Sequence, residues 1–364
     1  MDAEFNHHYH RRPLLRLRCS VQNYDWGKPG TDSQVARLFS LNSGSKIELD
    51  KLYAELWMGT HESGPSFLLE SDVENGASIG SQCITLKEWI AKNPNVLGDK
   101  VFDKWGSDLP FLFKVLSVAK ALSIQAHPDK ELAKMLHKLQ PDVYKDDNHK
   151  PEMALAITEF EALCGFISLE ELKGVLQNIP EIVELVGCTD ANQVLHMNER
   201  DGEEKVRKLT DKERLVLQLE KQYPADIGII SAFFFNYVKL NPGEALYLGA
   251  NEPHAYLYGD CIECMATSDN VVRAGLTPKH RDIQTLCSML TYKQGASTVF
   301  PAVPGPSIFV ITAGEGRMHT ESSKEVVTEG DVLFAPANIE ISITTVSELH
   351  LYRAGVNSRF FQIL

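Results

Sequence analysis

The spacing of apolar and polar residues changes its period within residues 121–152. Up to His127 apolar residues alternate with polar ones, so Ser123, Gln125 and His127 would share one face of a strand. Beyond it, leucines and a methionine at positions 132, 135, 136 and 139 follow helical spacing, and Asp129 is suited to cap that helix. The pattern predicts a short strand followed by an amphipathic helix.

A second short strand is predicted at the end of the same stretch. Pro151 favours an extended chain, and alternation then places Lys150 and Glu152 on one face with apolar residues on the other. Two strands therefore carry polar faces. A surface sheet would turn such faces to water, and a barrel would turn them inward; the pattern leaves both readings open.

Elsewhere the pattern predicts strands interrupted by a helical segment. Residues 86–105 are predicted to be helical, and residues 111–118 are predicted to form an apolar strand that Lys114 interrupts. A buried Lys is costly unless paired, so Lys114 either extends to solvent or faces an interior anion. Residues 167–224 are helical, with two capping boxes, and short strands punctuated by Gly, Pro and Asn return from about residue 230. The predicted class is mainly β with a helical insertion.

The chain contains an internal repeat. Residues 242–254 align without gaps onto residues 329–341, with matching Gly, acidic, Leu and Ala-Asn positions. Such an echo is expected when one β-barrel unit occurs twice. The second copy has Ile341 where the first has His254, so the two copies could not hold a metal in the same way.

Composition narrows the possible partners and compartment. The 364 residues carry a formal net charge of −13, which argues against general binding to nucleic acid or anionic membranes. Seven widely spaced cysteines favour a reducing compartment over a disulfide framework, and we interpret the pair Cys261 and Cys264 as strand residues. No apolar run reaches the length of a membrane span or a signal-peptide core, so we expect a cytoplasmic protein.

Four residues could converge as metal ligands if their strands share one barrel: Gln125, His127, Glu152 and His254. Two imidazoles, a carboxylate and an amide oxygen suit zinc best, while manganese, iron and cobalt remain open from ligand type alone. A Gln–x–His pair is by itself a weak signal, because alternating polar residues occur on any exposed strand.

Several cations accompany these candidate ligands in an acidic protein: Lys114, Lys120, Lys150 and Arg273. They suggest a phosphorylated small-molecule ligand, since the fork of an Arg side chain fits phosphate. The alternative is an ion-paired rim in which Arg273 pairs with Asp269 or Glu263.

The motifs that carry these residues resemble one known family. YKDDNHKPE at 144–152 and HAYLYGDCIECMATSDNVVRAGLTPK at 254–279 are similar to the two signatures of the type I phosphomannose isomerases. QNYDWGK at 22–28 and SIQAHPDK at 123–130 also resemble that family. The resemblance covers most of residues 14–290.

The resemblance implies a cupin (jelly-roll) architecture with two barrels and a helical domain. The expected boundaries are 1–160 with 228–290 for the central catalytic domain, 161–227 for the helical domain, and 291–364 for a metal-free C-terminal jelly roll. It also implies one Zn²⁺ per chain, held by Gln125, His127, Glu152 and His254. We expect a monomer.

The implied activity is the interconversion of mannose 6-phosphate and fructose 6-phosphate through an enediol(ate), which supplies mannose for GDP-mannose synthesis. The catalytic candidates are Arg273, Glu263 and Lys150, and the sequence leaves open which group moves the proton. The residues expected to contact substrate are Ser123, Lys114, Asp269 and Trp26, although Trp26 could instead pack over the barrel mouth. A non-catalytic sugar-phosphate-binding cupin is the main alternative, and an iron-dependent cupin oxygenase is a further one.

Overall fold

A computed structural model describes residues 14–68, 84–195, 209–290, 305–319, 324–337 and 341–356. Two large β-sheets, a separate pair of short strands and a group of helices make up this part of the chain. Among the helices that it contains, none is long and apolar enough to cross a membrane. His196, which the sequence places in the helical segment as a surface residue, lies outside the described residues.

The strands of the described ranges are β1 (Leu15–Arg18), β2 (Ser20–Gln22), β3 (Lys28–Pro29), β4 (Leu52–Tyr53), β5 (Glu55–Met58), β6 (Phe67–Leu68), β7 (Phe111–Val118), β8 (Ile124–Ala126), β9 (Glu152–Ala156), β10 (Phe160–Phe166), β11 (Phe235–Leu240), β12 (Ala245–Leu248), β13 (His254–Ala266), β14 (Val272–Gly275), β15 (Ser307–His319), β16 (Lys324–Thr328), β17 (Val332–Ala335) and β18 (Ser342–Gly355). The helices are α1 (Gln34–Ser43), α2 (Leu86–Lys92), α3 (Asp99–Trp105), α4 (Lys130–Leu139), α5 (Leu169–Asn178), α6 (Pro180–Val186), α7 (Cys188–Leu195), α8 (Asp211–Gln222) and α9 (Ile283–Met289). Short 3₁₀ helices span Gly30–Asp32, Pro94–Leu97 and Ile227–Phe233.

Strand β13 is the long central strand of a ten-stranded sheet. Its first residues pair with β10 and, at His254, with β8, whereas its residues from Gly259 onward pair with β7 and β9. Gly259 has φ +110°, and a Cβ there would lie 2.3 Å from the carbonyl oxygen of Glu159. Only glycine tolerates this close approach to a neighbouring backbone. The glycine lets β13 continue from the strands that pair with its first residues to the strands that pair with the rest.

The second sheet has the order β16-β15-β17-β1-β6, with β18 also paired to β15. Its strand β1 comes from the N-terminal part of the chain and pairs antiparallel with β17, Leu15 opposite Phe334. The N-terminal strand thus joins strands of the C-terminal region. The domain boundaries expected from the sequence remain a prediction.

The two copies of the internal repeat share a glycine turn followed by a strand at their described positions. Gly243 and Gly330 have φ +89° and +88°, and each precedes an acidic residue and a strand, β12 or β17. In each turn the acidic carboxylate accepts a backbone N–H three residues earlier at 2.7 Å, Glu244 from Asn241 and Asp331 from Thr328. The alignment read from the sequence therefore marks a repeated turn-and-strand structure.

The helical structure predicted over residues 86–105 is confirmed, but it is interrupted and does not form one continuous helix. The chain forms α2, then the 3₁₀ turn Pro94–Leu97, then α3. Pro94 has no N–H to continue a helix, and Gly98 has φ +76°. These two residues divide the predicted helix into three short segments.

Helix α4 begins where the sequence predicted, but its buried face is narrower. The Asp129 side chain accepts from the Leu132 N–H, as expected of an N-cap. Leu136 is buried, whereas Met135 and Leu139 are 52% and 67% exposed. Helical spacing predicted the position of the helix but not which of its apolar side chains are buried.

The predicted helical segment contains α5 to α8. The two predicted N-caps are present, since Ser168 accepts from the Glu171 N–H and Thr210 from the Glu213 N–H. The reciprocal bond of a capping box, in which the N-cap N–H donates to the Glu213 carboxylate, is formed at Thr210. At Ser168 the side-chain cap is present without a complete capping box. After α8 the chain returns to the larger sheet through Tyr223–Ile227, which borders the cavity described next.

Candidate active site

Three buried side chains face one another within the larger sheet. His127 follows β8, Glu152 begins β9 and His254 begins β13. The Nε2 atoms of His127 and His254 lie 3.2 and 3.3 Å from the two carboxylate oxygens of Glu152, and all three side chains are at most 2% exposed. The polar faces that the sequence left undecided therefore point inward at these positions.

The other ring nitrogen of each histidine contacts a backbone carbonyl. His127 Nδ1 lies 2.7 Å from the Asn270 carbonyl oxygen, and His254 Nδ1 lies 3.0 Å from that of Glu252. A carbonyl only accepts, so each Nδ1 donates its proton and each Nε2 keeps its lone pair. Such outer contacts orient imidazoles that bind a metal.

The facing atoms lack hydrogen-bond partners in the described structure. His127 Nε2, His254 Nε2 and Glu152 Oε2 are buried without one. Leaving a buried polar atom unsatisfied costs about 1–3 kcal/mol, so a missing positive group between them is the simplest account. The donor atoms lie within 4.8 Å of one another and could hold one metal ion. Two nitrogens and a carboxylate oxygen form a donor set that zinc accepts.

Burial and charge keep His127 and Glu152 in their metal-binding forms. Burial lowers the pKa of His127 to about 4, although Glu152 opposes this shift. Burial alone would raise the pKa of Glu152, but His127 and Lys150 outweigh it and hold that pKa well below its usual value. Near neutral pH the pair is therefore a neutral imidazole and a carboxylate.

Gln125 lies between two other candidate residues. It is on β8, with His254 as its register partner on β13 and Arg273 as its partner on β14. Its side chain lines the same cavity as Glu152 and Arg273. The strand order thus brings the predicted fourth ligand next to the histidine and the arginine.

Lys114 faces interior anions, which decides between the two positions predicted for it. Its Nζ lies 3.0 Å from Glu263 and 3.6 Å from Glu55, and it stands 5.1 Å from the ring centre of Trp57. Trp57 Nε1 in turn donates to Glu55. The apolar strand β7 accommodates a lysine because two carboxylates and an indole compensate its charge.

Glu263 is the carboxylate in this cluster with a raised pKa. Burial is the main cause, Lys114 opposes it, and the nearby Glu152 and Glu55 add to it. Lys150 also lies in this region, with its Nζ 3.4 Å from Glu152. A carboxyl group whose pKa is shifted toward neutrality can accept and return a proton during a reaction.

Arg273 is not part of an ion-paired rim. Its two predicted partners are engaged elsewhere, Glu263 with Lys114 and Asp269 with His61 at 3.4 Å. Among the described residues no carboxylate lies within 4.0 Å of the Arg273 guanidinium, and partial burial lowers its pKa. Within the described part of the chain, Arg273 therefore places a cation at the cavity without a carboxylate partner.

These groups surround a cavity of about 980 Å³. Nine predicted site residues line it: Trp26, Lys114, Ser123, Gln125, Lys150, Glu152, Glu263, Asp269 and Arg273. His127 and His254 lie behind this lining, against Glu152. The volume suits a small ligand.

Several residues that line the cavity were not predicted from the sequence. Glu55 had a signal, because an acidic residue interrupts the apolar strand β5 and is 6% exposed. Tyr256 alternates with His254 on β13 and points into the cavity. Tyr223, Asp226 and Lys279 lie on loops whose proximity to the site no sequence spacing reveals.

The fold and site define a class of protein: a β-rich protein whose described residues include a buried His-Glu-His group that could hold a metal ion, with Arg273 beside it. A sequence model of the type I phosphomannose isomerase catalytic domain matches residues 14–169. Mannose-6-phosphate isomerase 1 of Arabidopsis thaliana is 57% identical, covering 96% of this chain and 95% of that protein. The human mannose-6-phosphate isomerase is 44% identical over 78% of this chain and 74% of its own length.

Solved structures agree with the sequence relatives. A crystal structure of mannose 6-phosphate isomerase bound with zinc and yttrium is 28% identical, with a TM-score of 0.75 over 94% of this chain and all of that one. A zinc-bound holo structure has a TM-score of 0.74 over 94% of this chain and all of that one, at 28% identity. The chain belongs to the type I mannose-6-phosphate isomerase family, a family of isomerase enzymes.

Proposed function

We propose that the protein is a zinc-dependent aldose–ketose isomerase that interconverts mannose 6-phosphate and fructose 6-phosphate through an enediol(ate). The observation that carries this proposal is the set of facing, partnerless atoms on His127, Glu152 and His254 beside the unpaired Arg273. The names of the relatives supply mannose 6-phosphate as one substrate, and fructose 6-phosphate is the ketose that the family resemblance implies. The product would feed mannose into GDP-mannose synthesis.

We assign His127, Glu152 and His254 as zinc ligands, with Gln125 as the fourth. A zinc ion held there would polarise the carbonyl and hydroxyl oxygens at C1 and C2 of the sugar. The two backbone carbonyls behind the imidazoles hold both rings in the required tautomer. Because these carbonyls belong to the chain itself, they orient both imidazoles whether or not an ion is bound.

Isomerisation removes a proton from C2 of the aldose and returns one to C1. We assign this transfer to Glu263, because burial raises its pKa and Lys114 fixes its carboxylate at 3.0 Å. Lys150, close to Glu152, is the second candidate and can donate to a sugar oxygen. Each direction of the reaction uses the same group, first as base and then as acid.

Arg273 would stabilise the negative charge that develops on the sugar oxygens, or contact the phosphate. Its guanidinium lies beside Gln125 in the strand register and has no protein counter-charge within the described residues. The remaining substrate contacts would come from Ser123, Lys114, Asp269 and Trp26, which line the cavity. Holding the phosphate away from the reacting carbons would orient the sugar.

The proposed architecture is a cupin with two jelly-roll units and a helical domain. The repeated turn supports two related units, and the strand register extends the match. Glu152 pairs with Leu248 on β12, while Ser307 pairs with the corresponding Ala335 on β17. In the second unit Ser307 therefore replaces the ligand Glu152, and Ile341 packs against an apolar cluster in place of His254.

We expect one tightly bound zinc per chain, because the second unit lacks both a carboxylate and an imidazole at the corresponding positions. Elemental analysis of dialysed protein against chain concentration measures this ratio. The Glu152→Gln variant is the control, since it should lose that metal. Two tightly bound ions per chain would contradict the interpretation of the repeat.

A coupled assay of mannose 6-phosphate turnover, before and after chelation and after zinc is restored, tests the proposed function. We expect turnover that chelation removes and zinc restores. A zinc-loaded protein that binds the sugar phosphate without turning it over would support the non-catalytic cupin instead. Oxygen consumption that requires iron would support the oxygenase.

We expect the metal-free protein to lose stability as the pH falls from about 6.5 to about 4. The pKa of His127 is lowered by burial to about 4 in the folded chain, from 6.5 for an unperturbed imidazole. Between these values the unfolded chain binds more protons than the folded one, so acid favours unfolding. The stabilisation is complete above about pH 6.5 and is lost through this window.

Urea midpoints of chelated protein at several pH values check this expectation. The variant His127→Gln cannot titrate there and should show a shallower decline than the parent. If the midpoints of both proteins fall equally, another group controls the acid sensitivity. In the zinc-loaded protein, activity and zinc occupancy should fall together on acidification, because protons compete for the ligands.

A further inference from the structure

Two loops are joined at the cavity wall by one carboxylate. Asp226 follows helix α8, and its Oδ1 accepts from the N–H groups of Gly228 at 2.7 Å and Leu276 at 2.9 Å. Its Oδ2 accepts from the N–H of Thr277 at 3.2 Å. Leu276 and Thr277 follow β14 directly, so Asp226 ties the end of the helical segment to the strand that carries Arg273.

Two glycines allow these loops to approach. A Cβ on Gly228 would lie 2.6 Å from the Leu276 nitrogen and 2.8 Å from the Gly275 Cα. A Cβ on Gly275 would lie 2.5 Å from the Gly228 Cα. Side chains at either position would push the backbones apart, so the close contact is a specific property of this sequence.

The residues next to this contact have a costly backbone conformation. Ala225 has φ +60° and Leu276 has φ +53°, in the left-handed region that residues with a Cβ rarely adopt. Both residues line the cavity. Such conformations persist where surrounding contacts hold them in place, and they concentrate at functional sites.

Cations lie on the wall that these loops form. Arg273 precedes the contact on β14, Lys279 follows it, and Lys120 stands 4.2 Å from the ring centre of Tyr223 on the neighbouring loop. Arg281 lies 4.0 Å from Asp226 itself. At the metal-binding end Lys114 and Lys150 instead lie 3.0 and 3.4 Å from the carboxylates of Glu263 and Glu152. The two ends of the cavity therefore differ in charge, which would orient a sugar that carries phosphate at one end.

We propose that Asp226 is a positioning residue whose carboxylate clasps the segment 275–279 to the helical segment, so that Arg273 and Lys279 face the phosphorylated end of the substrate. The inference rests on the proposed function for the identity of that substrate. The clasp acts on backbone N–H groups, and the carboxylate itself need not contact the sugar.

The direction in which removal of Asp226 changes anion binding distinguishes a positioning role from a direct electrostatic effect of its carboxylate. Asp226 is itself acidic, so removing it would improve binding of an anion if charge alone mattered. If the carboxylate instead holds the cations in position, removing it should weaken anion binding. The two interpretations predict opposite changes for the same variant.

The test compares parent and Asp226→Ala for binding of inorganic phosphate by calorimetry and for the KM and kcat of mannose 6-phosphate turnover. We expect KM to rise and phosphate binding to weaken, each at least about tenfold, with a smaller change in kcat and an unchanged zinc content. Asp226→Asn should be intermediate, because its amide oxygen can keep the two bonds to Gly228 and Leu276.

Gly228→Ala is the independent variant, since it keeps the carboxylate and separates the loops. It should also raise KM, which keeps the inference testable if Asp226→Ala does not fold. Asp331→Ala is the matched control, because that carboxylate also accepts a backbone N–H, from Thr328 in the smaller sheet. It should lower thermal stability and leave KM and phosphate binding unchanged.

Unchanged or tighter phosphate binding in folded Asp226→Ala would overturn the inference, as would a parent that binds no phosphate. A KM increase of the same size in Asp331→Ala would show a general loss of stability and also overturn it. A parent that binds phosphate but does not isomerise the sugar would refute the proposed function alone, and the phosphate comparison would still decide on the clasp.

Discussion

Glu152→Gln should leave the protein folded, remove its tightly bound metal and lower isomerase turnover at least about a hundredfold. The carboxylate lies between the Nε2 atoms of His127 and His254, and both of its oxygens face an imidazole. An amide of the same size keeps the packing at the start of β9 but removes the negative charge. Replacing partners behind a metal ligand already costs about 10–100-fold in affinity or activity, so losing the ligand should cost more.

Elemental analysis and the coupled assay on the same preparation measure both effects. Glu161→Gln is the matched control, because Glu161 lies on β10, accepts from the Tyr237 hydroxyl and is outside the cavity lining. It should keep its metal and its turnover. If Glu152→Gln binds one zinc per chain as tightly as the parent, Glu152 is not a ligand.

The positions of the candidate ligands could be predicted because each depends on local spacing. Alternation put Gln125 and His127 on one strand face, and the proline before Glu152 fixed an extended chain there. Spacing could not establish that the three strands meet. That depends on the pairing of β13 with β8 and β9, which are far from it in sequence.

The sequence shows that charged residues interrupt apolar strands, but it does not identify the residues that pair with them. The sequence allows Lys114 either to extend to solvent or to face an interior anion. It cannot decide between them because the partners, Glu55 and Glu263, come from strands on either side of β7. Glu55 carried the same signal, an acid in an apolar strand, and was missed. A buried charge predicts that a partner exists without indicating which residue supplies it.

Contacts between loops that are distant in sequence could not be predicted. Asp226 and Leu276 are 50 positions apart and carry no shared pattern, yet a hydrogen bond joins them. Likewise β1 pairs with β17 as well as with β6, and no sequence spacing indicates the pairing with β17. Long-range pairing of this kind follows from the whole fold and not from any local period.

Arg273→Lys should stay folded and keep its zinc but lose at least about tenfold of its turnover of mannose 6-phosphate. The substitution keeps the charge and removes the planar fork, so it tests geometry and not charge. A hydrogen bond to a charged group is worth about 1.5–3 kcal/mol, which sets the tenfold minimum. No carboxylate among the described residues pairs with Arg273, so the loss would come from contacts to the substrate.

The kinetic pattern identifies which contact is lost. A fall in kcat with little change in KM would place Arg273 on charge that develops during enolisation, whereas a rise in KM alone would place it on the phosphate. Arg353→Lys is the matched control, since that arginine also has a pKa lowered by burial but packs over Phe309 in the smaller sheet. It should keep normal kinetics. Near-normal kinetics in Arg273→Lys as well would remove Arg273 from the site, because no other role in the described structure requires its guanidinium.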